Sequence, residues 1–106
     1  MKQLSYTVTD AGVVERLIED EHHTLAHIVL KSGETLPEHA SDSNATMIVV
    51  RGECTLRHDD QTAVCTAGSI LLIPYRTHMQ ISNKGGSVLE LFIVKVPSPK
   101  SIMAPM

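Results

Sequence analysis

The chain has no tryptophan and only three aromatic residues, Tyr6, Tyr75 and Phe92. Base stacking therefore has little to work with, and Arg51, Arg57 and Arg76 stand apart instead of forming a basic run. With a net charge of −3, nucleic acid is not an expected partner. No apolar stretch approaches the ~20 residues of a membrane span, and the start, MKQLSYTVTD, lacks the apolar centre of a secretory leader. The expectation is no membrane partner and a cytoplasmic location. Cys54 and Cys65, the only cysteines, are then expected as reduced thiols. No segment carries a clear helical pattern either.

What is present is a chain of 106 residues, 42% of them hydrophobic. That length suits a single domain, which buries roughly two-thirds of its unfolded surface. Short runs rich in β-branched and apolar residues recur, with turn signals between them every ~8–12 residues. Leu4–Val8 and Val13–Ile18 are extended candidates, separated by Asp10-Ala11-Gly12. His23–Lys31 is apolar on both faces and reads as a central strand, with His27 beside Leu25 and Val29 on a face taken to look inward. Thr46–Arg51 runs into the turn Gly52-Glu53.

Asp59-Asp60 joins Cys54–His58 to Gln61–Cys65 as a two-residue hairpin, which sets Cys54 opposite Cys65 and leaves His58 in solvent beside the turn. Ser69–Ile73, His78–Asn83 and Val88–Val96 complete about nine strands. Pro97, Pro99 and Pro105 keep the tail, residues 97–106, out of a sheet as an extended arm. This pattern is that of an all-β sandwich or barrel with little or no helix.

Two segments carry more. Gly33 is followed six residues on by His39, and Gly52 closes that stretch; Gly68 is followed by Pro74 and then Asn83. This frame resembles the cupin family, whose first motif is G-x5-H-x-H-x3-E-x6-G and whose second is G-x5-P-x-G-x2-H-x3-N. The spacing matches without a gap. The resemblance spans residues 24–96 and implies a small jelly-roll β-barrel filling one domain, 1–106, often dimeric in the family.

In metal-binding cupins, two histidines and a glutamate of the first motif and a histidine of the second hold the ion. At those positions this sequence has His39, Ser41, Ala45 and Met79, and Arg76 stands where the second motif has glycine. Serine is a feeble donor and alanine none, so no metal cofactor is expected. The alternative is a rearranged set, His27, His39 and His78, which could hold Zn, Ni, Fe or Cu. It would need His78 to turn inward in place of Met79, since one residue of offset reverses the face.

The resulting expectation is a metal-free cupin that binds a small molecule in its barrel, in a sensing, storage or accessory role. Met47, Val49, Met79 and Ile81 are the inward candidates, His39 is the polar contact, and Arg76 at the mouth could meet a carboxylate. A second reading is metal-free acid–base catalysis, with His39 as base, Tyr75 as acid and Glu90 orienting the imidazole; a third is a metal-dependent oxygenase or isomerase on the rearranged set. Whether the protein is an enzyme stays open at this point. A homodimer is expected, through exchange of the Val88–Val96 strand or the arm, unless Glu90 and Lys95 protect that strand as an edge.

Overall fold

The computed structural model describes residues 1–103. In chain order its elements are β1 (Val13–Glu19), β2 (Thr24–Leu30), β3 (His39–Ala40), β4 (Ala45–Arg51), β5 (Glu53–His58), β6 (Gln61–Thr66), β7 (Ile70–Ile73), β8 (His78–Ser82), β9 (Leu89–Lys95) and α1 (Pro99–Met103). They form a five-stranded sheet, β1-β2-β9-β4-β7, facing a four-stranded sheet, β3-β8-β5-β6. Every strand pairing is antiparallel. The all-β jelly-roll architecture expected from the sequence is what is found.

Register decides what each face carries, because neighbouring residues of a strand point to opposite faces. Ala26, Ile93, Met47 and Leu71 lie in one row across β2, β9, β4 and β7, with Ile28, Leu91 and Val49 in the next. From the other sheet, Leu56 and Ile81 face this surface, with Cys54 opposite Cys65. Together these side chains make the buried core. Burying each large aliphatic one is worth about 1.5–3 kcal/mol.

The motif residues turn out to be frame. Gly33 and Gly68 take positive φ, and the Gly33 N–H donates to the Asn83 carbonyl (2.8 Å). Asn83 is fully buried: its Nδ2 donates to the carbonyls of Leu30 (2.9 Å) and Ser87 (2.8 Å), pinning the turn before β9. The Asp59-Asp60 hairpin has the expected register, from His58 opposite Gln61 to Cys54 opposite Cys65.

Expectations at Leu4–Val8, the tail, Val88–Val96 and the Glu90/Lys95 edge are corrected. Leu4–Val8 forms no strand; it runs as an irregular segment. The tail is not a plain extended arm, since Pro99–Met103 is a short helix in which Pro99 takes the first position, where a missing N–H costs nothing. Residues 104–106, the end of the expected arm with Pro105, lie outside the described residues. Val88–Val96 also differs: β9 is paired on both sides, with β2 and with β4, so it is no edge. Glu90 and Lys95 consequently do not shield one; Lys95 Nζ instead reaches Asp42 Oδ1 at 2.6 Å.

One turn tests this frame. Gly52 has φ +80°, and a Cβ there would lie 2.2 Å from the Val88 carbonyl oxygen. Gly33→Ala meets only the positive φ, with no atom within 4 Å. Gly52→Ala is therefore expected to cost roughly 2–4 kcal/mol and Gly33→Ala roughly 1 kcal/mol, measured by urea unfolding. Equal costs would contradict the packing at Gly52.

Candidate functional site

The barrel interior is filled. Met47, Val49, Met79 and Ile81, expected as ligand contacts, are each at most 2% exposed and pack against one another in the core. Ser41 and Ala45, at two of the family's ligand positions, are buried as well. His39 is exposed, with its Nδ1 3.0 Å from the Pro37 carbonyl oxygen. A hydroxyl, a methyl and a thioether beside one exposed imidazole do not fit the family's ion, which asks for imidazoles and a carboxylate.

Nor do His27, His39 and His78 come together. Met79 pairs with His39 and points into the core, so His78 takes the opposite face, where its Nδ1 lies 3.0 Å from Glu38 Oε1. His27 does not look into the barrel: it shares its face with Glu15 and Phe92, while its neighbours Ala26 and Ile28 supply the inward row. Among the described residues no three His, Cys, Asp or Glu side chains gather as a metal site. The acid–base arrangement is likewise unassembled, since no hydrogen bond among the described residues joins His39 to Tyr75 or Glu90. Glu90 is held on the outer face by His27 and Arg51.

What stays open is the gap between the two sheets at their unpaired edges, β6 and β7. A groove of about 360 Å³ runs there, walled by Leu56, Ala63, Leu71 and Ile73, with His58, Gln61, Thr62 and Thr77 as polar groups. It ends at Pro74 and Thr77, which bracket Tyr75 and Arg76. That turn is fixed: the Tyr75 N–H donates to Asn44 Oδ1 (2.9 Å), the Arg76 N–H donates to the Ser41 carbonyl (2.8 Å), and the Arg76 guanidinium lies 5.1 Å from the Tyr75 ring centre. Arg76 itself has φ +69°, where the family's glycine would be at ease. His58, expected in solvent, is half-exposed and also borders the groove. Strand parity held the signal, since His58 has the parity of Cys54 and Leu56, both inward.

The outer face of the five-stranded sheet carries a second polar constellation. Fully buried His27 has Nδ1 2.6 Å from Glu15 Oε2 and Nε2 2.6 Å from Glu90 Oε2. Arg51 Nε lies 3.2 Å from the other Glu90 oxygen, and Arg51 Nη1 is 2.6 Å from Asp10. The Tyr6 ring covers His27 and Phe92 at 4.8 and 5.3 Å. The backbone N–H of Thr7 and, secondarily, the His27 ring hold the Glu15 carboxyl below its ordinary value. In the core, burial pushes the Cys54 thiol up to about 12 and also raises Cys65.

No protein-family model matches the chain. It is 42% identical over 94 residues to an uncharacterised protein of Methanocaldococcus jannaschii, covering 88% of this chain and 81% of that one. A crystal structure from the same organism, described as an RmlC-like cupin family protein with a double-stranded β-helix fold, superposes with a TM-score of 0.94 at 37% identity, covering 98% of this chain and 97% of that one. A cupin 2 conserved barrel domain protein of Salinispora arenicola shares the fold alone, with a TM-score of 0.74 at 16% identity and coverage of 92% and 86%. Among the described residues no helix is long and apolar enough to cross a membrane.

Two outcomes follow from these environments. Both thiols should be inert to Ellman's reagent in the native protein at pH 8 and react fully once it is unfolded, because the reactive thiolate is suppressed by burial; rapid native reaction would contradict it. Glu15, whose folded value lies below its ordinary 4.5, contributes stability that is complete above that value and lost as pH falls through the folded one. In acid the Thr7 amide resonance should move with Glu15 protonation while amides of β9 stay in place. Glu15→Gln should abolish that step; its persistence would contradict the assignment.

Proposed function

The chain belongs to the RmlC-like cupin family, and on that premise we propose that it is a binding cupin, holding a small organic molecule in the β6–β7 groove without an ion at the family's metal position. The groove carries this reading. Its volume, about 360 Å³, falls within the range of ~300–1,000 Å³ common for ligand pockets, and its apolar walls with a few convergent polar groups follow the same rule. An apolar body would lie against Leu56, Ala63, Leu71 and Ile73. His58, Gln61 and Thr77 would fix its orientation by hydrogen bonds.

Arg76, in the turn just beyond the Pro74 and Thr77 end of the groove, extends the reading to ligands with a carboxylate long enough to reach it, since a guanidinium offers a planar pair of donors. Catalysis is not part of the proposal: the titratable pair at the groove among the described residues is His58 with Asp59, 3.3 Å apart, and no nucleophile is placed beside it. A sensing, storage or accessory role fits such a module. A homodimer in the cytoplasm is the form in which we expect it to work.

A screen of small aliphatic and aromatic carboxylates by ligand-observed NMR tests the site. Hits should vanish in Ala63→Leu, which fills the groove, and weaken about tenfold in Arg76→Ala, the loss of one charge-assisted contact. Hits indifferent to both substitutions would place the ligand elsewhere. Elemental analysis of the purified protein should show substoichiometric transition metal, and a full equivalent would overturn the metal-free reading.

A further inference from the structure

His27 has carboxylate oxygens 2.6 Å from both ring nitrogens. At that separation each contact needs a proton between its heavy atoms, for otherwise two lone pairs face each other. A neutral imidazole supplies one N–H and two carboxylates supply none. The Glu15–His27–Glu90 chain therefore holds a second proton.

Among the described residues, the polar contacts that tie down residues 6–10 come from Glu15, a member of this chain, and from Arg51, which lies beside Glu90. Residues 1–12 contribute to no strand, so no ladder anchors them. Thr7 donates to Glu15 twice, from N–H and from Oγ1, both at 2.9 Å. Arg51 donates from Nη2 to the Thr9 carbonyl (2.9 Å) and from Nη1 to Asp10 (2.6 Å), while its Nε is turned to Glu90.

The groups facing His27 are thus Glu15 on β1, Glu90 and Phe92 on β9, and Tyr6 of the N-terminal segment. Arg51 on β4 and Asp10 stand behind Glu90. Beside them is an opening of about 420 Å³ bordered by Tyr6, Val8, Thr9, Asp10, Arg51 and Glu90, through which solvent reaches the carboxylate end of the chain.

We propose that residues 6–10 are a proton-latched strap, closed over the outer face of the five-stranded sheet while the Glu15–His27–Glu90 chain keeps its second proton and released when that proton leaves to solvent. On its loss, Asp10 and Glu90 still share the one Arg51 guanidinium, and one of the short contacts of His27 with Glu15 and Glu90 becomes repulsive. Glu15 and Arg51 are then drawn away from the strap groups they hold. Release uncovers His27 and Phe92, the two rings beneath Tyr6.

The test uses the intact chain, with 15N spectra of the His27 ring and amide exchange of Thr7 followed from about pH 5 to about pH 10, a range spanning histidine titration. Both ring nitrogens should carry hydrogen at the lower end. Loss of the second proton should coincide with a fall of about tenfold in the Thr7 protection factor, the worth of one charge-assisted hydrogen bond, while Val29 in β2 keeps its protection. Glu90→Gln lets a neutral His27 donate to Glu15 and accept from the new amide, so proton loss leaves no repulsive contact and Thr7 protection should stay level across the range. In the unaltered chain, Thr7 protection that stays level as His27 loses its proton would overturn the proposal, and so would a Glu90→Gln protein whose strap releases at the unchanged pH.

Discussion

The double pairing of β9 is the constraint on which the rest depends. Held between β2 and β4, it has no freedom to slip, and a shift of one residue would exchange its two faces entirely. Leu89, Leu91 and Ile93 therefore go inward, each at most 7% exposed. Glu90, Phe92 and Val94 go outward by the same alternation. The inward set closes the barrel. The outward set gives His27 its second carboxylate and Tyr6 a ring to rest on.

A carboxylate in the middle of a central strand is costly unless partnered. Glu90 is partnered twice, by His27 and by Arg51, and its side chain is only 14% exposed. The arrangement spans four elements: β1 brings Glu15, β2 His27, β4 Arg51 and β9 Glu90. Such buried charge contributes little net stability, because desolvation offsets attraction. What it does is fix which segment covers this face of the sheet.

The fold was largely legible in the sequence, and the reason is local. Gly33, Gly52 and Gly68 mark turns with positive φ, the hairpin register follows from the Asp59-Asp60 loop, and Met79 inward with His78 outward follows from parity. Met47, Val49, Met79 and Ile81 were legible as inward, whereas their packing as core in place of a ligand pocket was not. Parity gives a face but not which face is inside. For His27, with apolar residues on both sides of its strand, only the partner strands decide, and these are Glu15 at a sequence separation of 12 and Glu90 at 63. The N-terminal strap was missed for a similar reason, since Leu4–Val8 has the composition of a strand but no edge to join. His58 was within reach, had the parity of Cys54 and Leu56 been carried two residues further.

The family's ligand positions explain where chemistry can and cannot lie. A barrel that houses an ion must hold polar side chains inward and leave a path to them, which costs packing. With Ala45 and Met79 there, both buried in the core cluster, the interior instead supplies dispersion contacts. One concavity then falls where the two sheets fail to meet. β7 has only four residues and is stopped by Pro74, and β6 has no partner beyond β5. Unpaired edge strands present backbone donors and acceptors, and between these two lie apolar walls and the fixed turn bearing Arg76. The same substitutions that close the centre thus make the rim the place where our proposal seats a ligand.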